Sequence, residues 1–403
     1  MGGTDPRIGE RVRYWRRRRN LDRKQFADMV GRSTSWLDKI ESGERELARL
    51  PVIDRVAEAL GVDPTVLTDR TSAERASQCV DAGEVDAIRQ ALGHYPGLST
   101  TEATSDLATI QRQAEYLDLA WPASRFTVVA RHLPALMTSA EAVVRDAPAA
   151  DQVPAQRVLV TTYRLASSML LKFEADDLAW LAADRAMHAA HAVDDTWSLA
   201  RATRSVARAM SGDRQKPQAI ATLLAMADRM RAEVATDAEN LLALHGMLYL
   251  AASISAAGQD NAPLAQEMHD EAMATALRFK PHYDTHHTSF GMTNTVIHRV
   301  SALVRLHECG RALEFAATID PAAVALLPAE RRSNHLLDLT EAHIGVGDHR
   351  RAVIALGQAE QIAPEEVRCR PLAHGLLRSL LRNTTGQPAK LVKSMADRAG
   401  VAA

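Results

Sequence analysis

Two neighbouring stretches of this 403-residue sequence are dense in side chains that could do chemistry. Between Arg7 and Lys24 stand nine basic residues (Arg7, Arg11, Arg13, Arg16, Arg17, Arg18, Arg19, Arg23, Lys24) against Glu10 and Asp22, a local charge of +7. The whole chain carries −2, so the rest of it carries −9. A guanidinium-rich end on an acidic chain suits a polyanion, and the alternative is a solvated Arg-rich helix face. Just downstream, Ser33, Thr34, Ser35, Asp38 and Lys39 place short donors and acceptors at helical spacing. Two further sets lie far along the chain. Asn294, His298 and Arg305 fall nearly on one helix face, and His282, Asp284, His286 and His287 form a cluster. His282 and His286 could ligate zinc on a helix, but Pro281, Thr285, Thr288 and Ser289 read as loop and no fourth ligand is evident, so no metal is expected. Phosphate-loop, dinucleotide, nucleophile-elbow and HExxH patterns are missing, which favours a binding protein over an enzyme and implies no cofactor.

The elements that must position the first set are short helices. Ile8, Val12 and Trp15 make one helical stripe. Asp22 with Gln25 three residues on reads as a capping box for a helix over 23–30. Gly31 turns the chain, Ser33 caps a helix over 34–42, and Gly43 ends it. Pro51 opens a fourth helix that stops at Gly61, and 64–67 adds a short fifth. Two short helices joined through glycine punctuation in a small helical unit make a helix-turn-helix.

The stretch from Leu21 to Gly43 resembles the Xre/Cro family of phage-repressor-type DNA-binding domains. Ala27, Gly31, Ser33, Ile40, Glu41 and Gly43 match in register without a gap, as do Arg18–Leu21 before and Ala57–Val62 after. The resemblance covers about the first 70 residues. It implies that the helix starting at Ser33 enters the major groove N-terminus first, with Thr34, Ser35, Asp38 and Lys39 at the base-reading positions. Short hydroxyls read less sharply than a bidentate side chain; Lys39 could reach a guanine, and Asp38 could accept from cytosine or orient Lys39. Trp36 stands where the family has a small residue; packing against the first helix is expected over contact with a thymine methyl. Arg23 replaces the usual Gln at a phosphate-contacting position, and Arg45 is a second phosphate candidate. Arg18 and Arg19 are either direct contacts or general neutralising charge.

Beyond a polar stretch, helical segments alternate with short breaks over 101–120, 125–145, 152–173, 175–193, 196–210, 217–234, 238–257, 261–279, 289–308, 329–346, 349–362, 365–382 and 388–399. The stretch 342–364 resembles a tetratricopeptide repeat: Gly347-Asp348 at the turn, Ala352 and Ala359 as the small contact residues, Pro364 as the stop. Phe290 to His298 resembles a block of regulators that join an Xre-type N-terminus to such repeats. The expected fold is all-α: a five-helix lambda-repressor-like domain over 1–70, a linker with weak helices over 71–100, and a tetratricopeptide-like α-solenoid over 101–403. If 238–257, 289–308 and 329–346 line a concave face, Asn240, Asn294, His298, Arg305 and Asn334 could hold a small effector or peptide; the alternative is capping for the Asn residues and interhelical packing for His298.

Composition bounds the rest. An apolar fraction of 46% and a charged fraction of 24% suit a globular chain, and 4% aromatics is thin for an all-β fold. Cys79, Cys309 and Cys369 make no paired framework, the N-terminus has no secretory pattern, and the cytoplasm is expected. Only seven of the 48 basic residues are Lys, the bias of a GC-rich bacterial genome. The uncharged run 241–258 approaches membrane-span length, but its acidic flanks favour a buried helix. The resemblance implies a transcriptional regulator, homodimeric on a double-stranded palindromic operator. The alternatives are a protein-interaction scaffold and a helical metal-dependent enzyme.

Overall fold

The structure, a computed structural model, describes residues 8–69, 79–95, 105–210, 216–235, 238–279, 282–283 and 288–402. Among them every regular element is helical. The chain divides into two compact units between Gln90 and Ala91, so the first unit reaches past the expected boundary at residue 70.

The first unit holds α1 (Ile8–Arg18), α2 (Arg23–Val30), α3 (Thr34–Glu41), α4 (Leu50–Leu60), α5 (Pro64–Thr68) and most of α6 (Ala82–Leu92). Its core gathers Ile8, Val12, Trp15, Phe26, Val30, Leu37, Ile40, Val56, Leu60 and Leu67. Local signals set the helix ends. The Asp22 carboxylate accepts from Gln25 N while the Gln25 side chain accepts from Asp22 N, satisfying two orphan donors reciprocally. Gly31 closes α2 at φ +67°, a left-handed position that glycine adopts at no steric cost. The α6 segment, within the stretch expected as a linker with weak helices, is a helix because Asp81 and Glu84 form a second reciprocal cap, Glu84 N to Asp81 Oδ1 at 3.0 Å and Asp81 N to Glu84 Oε2 at 3.3 Å.

Gly9 is where α1 crosses α3. A Cβ there would sit 1.9 Å from the Ile40 carbonyl oxygen, a main-chain atom that cannot step aside. Gly9→Ala should therefore lower the melting temperature of the first unit by the several degrees that ~1–3 kcal/mol of overpacking produces, readable by circular dichroism. An unchanged melting temperature would mean that the two helices cross elsewhere.

The second unit continues with α7 (Leu107–Ala120), α8 (Phe126–Asp146), α9 (Gln152–Lys172), α10 (Asp176–Val193), α11 (Thr196–Ala209), α12 (Lys216–Val234), α13 (Glu239–Ala257), α14 (Ala262–Arg278), α15 (Met292–Arg305), α16 (Cys309–Ala316), α17 (Pro321–Ala325), α18 (Ala329–Gly345), α19 (His349–Ile362), α20 (Pro364–Arg368), α21 (Pro371–Asn383) and α22 (Gly386–Ala399). Each helix from α8 to α14 packs on the next in sequence, and alternate helices α9, α11, α13 and α15 also touch in succession. Two expectations need correction. The interval after α15 holds two short helices, α16 and α17, and 365–382 is broken before Pro371, whose ring suits the first turn of a new helix. The 342–364 stretch forms a helical hairpin, with Gly347 at φ +79° in the turn and Ala352 and Ala359 buried at its contact.

Among the described residues, α13 is the one helix long and apolar enough to span a membrane, and 67% of that stretch is buried within the unit. Gly246 in α13 makes room for the Phe290 ring, which would lie 2.0 Å from an added Cβ. Phe290 is thus a core residue that seats the start of α15.

The unit also closes on itself. Glu366 accepts from Lys172 Nζ at 2.5 Å and from Arg370 Nη1 at 2.6 Å, and Ser124 Oγ lies 3.3 Å away. Lys172 reaches Glu330 at 3.1 Å, Thr127 N donates to Glu365 at 2.8 Å, and Glu330 N donates to the Pro122 carbonyl at 3.0 Å. The beginning of the stack is thereby joined to α18–α20.

Candidate DNA-binding surface

The turn between α2 and α3 and the first two turns of α3 form an exposed polar edge. Ser33 accepts from Trp36 N at 3.2 Å and so caps α3. That cap aims Thr34 and Ser35 outward, one and two residues into the helix, while Leu37 and Ile40 face the core. Asp38 and Lys39 are exposed one turn further along the same edge. Arg45 follows, its backbone N bonded to the Lys39 carbonyl at 2.8 Å.

Trp36 is half-buried against the core cluster of the first unit, and the Arg32 guanidinium stands 5.7 Å from its ring centroid. Arg32 is a candidate contact that sequence reasoning passed over. Its position in the turn, four residues before an aromatic, was the available signal. Asp38 is held by Arg23 at 3.3 Å, so Arg23 rather than Lys39 is its ion-pair partner. Both side chains are more than half exposed, and such a pair is worth at most about 1 kcal/mol.

The basic run divides into two populations. Arg16 donates from Nε and Nη2 to Glu41 at 2.6 and 2.9 Å and from Nη1 to the Leu21 carbonyl, fastening α1 to the end of α3. Donating its hydrogen bonds to the Glu41 carboxylate holds this guanidinium protonated above its ordinary range. Arg18 and Arg19, expected either as direct DNA contacts or as general neutralising charge, are drawn inward and off the exposed edge. Arg18 is buried, donating to both Glu84 oxygens and the Cys79 carbonyl. Burial opposes its charge, and the Glu84 hydrogen bonds together with the Glu84 charge and its neighbours outweigh that, raising its pKa. Arg19 donates to the Leu60 carbonyl and to Asp81. Both guanidiniums also stack on Trp15. Arg11 Nε donates to the Leu67 carbonyl. Arg13, Arg17, Arg23 and Lys24 stay exposed.

A model of a helix-turn-helix domain family matches residues 7–69. No curated protein and no solved structure matches the chain. Residues 7–69 are an Xre/Cro-type helix-turn-helix domain, the class to which DNA-binding capacity belongs, and a long all-α region follows it.

That region carries a cavity of about 610 Å³, within the range of small-molecule sites. His298, Arg305 and Asn334 line it together. Asn334 accepts from Arg370 at 2.8 Å and donates to the Glu330 carbonyl at 2.7 Å; Arg305 donates to Ser301 Oγ at 2.7 Å. His298 Nδ1 lies 2.7 Å from the Asn294 carbonyl and must carry the proton there, leaving Nε2 as an acceptor. Asn294 and Asn240 depart from the expected set. Asn294 is fully buried between α13 and α15 with Met247 Sδ at 3.9 Å, and Asn240 is exposed outside the cavity. Sequence reasoning also passed over Arg204 and Arg208, which line the same cavity.

Burial pushes His298 down to about 3 and His335 to about 4, from an ordinary 6.5. The folded chain keeps both rings neutral, so their stabilising effect is whole above pH ~6.5 and is lost as pH falls toward 4, by up to ~1.4 kcal/mol per ring per pH unit. His335→Gln should flatten the acid limb of the melting curve of the second unit. An identical pH dependence would show that His335 takes up its proton while folded.

Of the cluster from His282 to His287, residues 284–287 lie outside the described residues. Among the described residues no group of three or more His, Cys, Asp or Glu side chains could hold a metal ion.

Proposed function

We propose that the chain is a sequence-specific DNA-binding transcriptional regulator. The reading rests on one observation above the rest: α3 presents Thr34, Ser35, Asp38 and Lys39 to solvent as a polar edge, beside exposed Arg23, Arg32 and Arg45. In this geometry α3 lies in the major groove, Lys39 reads a base edge, and the arginines meet phosphates. The exposed cations are interleaved with Asp28, Asp38 and Glu44, so one copy neutralises few phosphates. That favours a homodimer on a palindromic operator, which doubles the contacts. The helical region is read as a tetratricopeptide-like solenoid in the cytoplasm that binds an effector and mediates dimerisation; the succession of neighbouring helices and the cavity at His298, Arg305 and Asn334 support this. An effector alters operator affinity only by preferring one dimer geometry.

Fluorescence anisotropy on duplex DNA recovered by genome-wide mapping tests the reading. Lys39→Ala should cost about 1–3 kcal/mol of discrimination between operator and scrambled duplex. Arg23→Ala should weaken binding to both, and by releasing Asp38 also alter preference at one base pair. A wild-type chain that binds no duplex at low salt would leave α3 as a partner-binding surface instead.

A further inference from the structure

Arg204 and Arg208 stand one turn apart on α11, and both line the 610 Å³ cavity and an adjoining one of about 360 Å³. Among the described residues neither forms an ion pair. Arg208 reaches only Ser168 Oγ, at 3.5 Å, and Arg204 Nε is shut off from solvent with no hydrogen-bond partner. Glu330 and Arg331 line both cavities too, and Arg331 is already paired with Glu330. The larger cavity is lined by Lys172, Arg204, Arg208, Arg305, Arg331 and Arg370 against Glu330, Asp338 and Glu341; with Glu366, which pairs Lys172 and Arg370, counted as well, cations are in excess by two. Burial first, and then the Arg331 charge, lowers Arg208 to about 10; burial and then Arg208 and Arg331 lower Arg204 well below its ordinary range. Charges left unmatched in such surroundings are costly unless something compensates them.

We propose that Arg204 and Arg208, with Arg331 at the rim, hold the head group of a phosphoryl-bearing small molecule whose body lies along Met247, Leu250, Ile254 and Ile297. The inference deepens the reading of the helical region as an effector-binding module and rests on it. A carboxylate brings one charge and two oxygens. A phosphate monoester brings nearly two charges and three acceptor oxygens, and guanidiniums engage such oxygens in pairs. It is the ligand class that answers two unpaired guanidiniums and an excess of two charges at once. The apolar wall opposite gives room for a non-phosphoryl body, which inorganic phosphate alone would leave unfilled.

The test uses the full chain, calorimetric titration and thermal melting, with inorganic phosphate, pyrophosphate, adenosine monophosphate, citrate and potassium chloride at matched ionic strength. Pyrophosphate and adenosine monophosphate should bind at one site per chain and raise the melting temperature, with the monophosphate tighter than inorganic phosphate. The double variant Arg204→Met/Arg208→Met should bind at least ten-fold more weakly, yet melt no lower than wild type without ligand. Arg23→Ala/Lys39→Ala, altered only on the helix-turn-helix, should keep full affinity. Should the double methionine variant fail to fold, Ser168→Glu, which brings a carboxylate to Arg208, should abolish binding in its place. Shifts equalled by potassium chloride, binding of citrate alone, or binding that survives at Arg204/Arg208 and vanishes with Arg23/Lys39 would each overturn the proposal. The titration contains no DNA. A chain that takes pyrophosphate but ignores duplex DNA refutes the regulator reading alone, and the reverse result refutes this site alone.

Discussion

Glu41→Ala is expected to unfold the helix-turn-helix under conditions where the wild type is native. The substitution leaves Arg16, with its guanidinium almost wholly out of solvent, without the carboxylate that receives two of its hydrogen bonds. Breaking one side of a buried pair costs about 3–5 kcal/mol, because an unmatched charge stays in a site built for two. A domain of this size has only about 5–15 kcal/mol in all. The pair also links α1 to the last turn of α3, so its loss releases the helix read as the DNA-contacting one. Duplex binding should fall with the unfolding transition. Glu41→Gln, which keeps one acceptor oxygen, should lie between. A Glu41→Ala protein that melts within a degree of wild type would show that the pair does not hold α3.

Glu366→Ala should have the second large effect, in the other unit. Glu366 is completely buried and receives Lys172 and Arg370 from two different parts of the helical stack. Its removal strands two cations in the wall where cations already outnumber carboxylates. A loss of about 3–5 kcal/mol should appear as an early melting step confined to the helical region, with the helix-turn-helix transition unmoved. It should also open the closure between α9 and α18–α20, read as faster hydrogen exchange there. Uniform exchange in variant and wild type would mean that the stack is joined by apolar packing and not by this network.

Much of the first unit was legible in the sequence because its determinants are local. The Asp22–Gln25 box, the left-handed Gly31 and the Ser33 cap are each decided within three or four residues. Arg18 and Arg19 were not legible. Their carboxylates, Glu84 and Asp81, stand more than 60 residues away in a stretch that reads as a linker with weak helices. A basic run therefore overstates the charge offered to DNA, since helix packing draws part of it inward. In the second unit the helices follow from periodicity, yet the closure depends on Lys172 meeting Glu330 and Glu366 across the whole stack. His298, Arg305 and Asn334 share a cavity because helical spacing and the order of helices place them there. Asn294 has the same spacing and faces the other way, into the α13–α15 contact. Arg204 and Arg208 lie one turn apart on an alanine-rich helix, and nothing in that spacing tells that Glu330 and Arg331 of α18 line the same cavity.

The most direct measurement compares the wild-type chain and Lys39→Ala on genome-recovered duplex and on a scrambled duplex, each titrated by anisotropy at two salt concentrations. The account expects wild type to prefer the recovered duplex by at least about 10³-fold, with affinity for both duplexes falling steeply as salt rises. It expects Lys39→Ala to lose about ten-fold or more of that preference while keeping its fold and its salt dependence. Equal affinity of a folded wild-type chain for recovered and scrambled duplex, or a Lys39→Ala protein that discriminates as well as wild type, would contradict the placement of α3 in the groove.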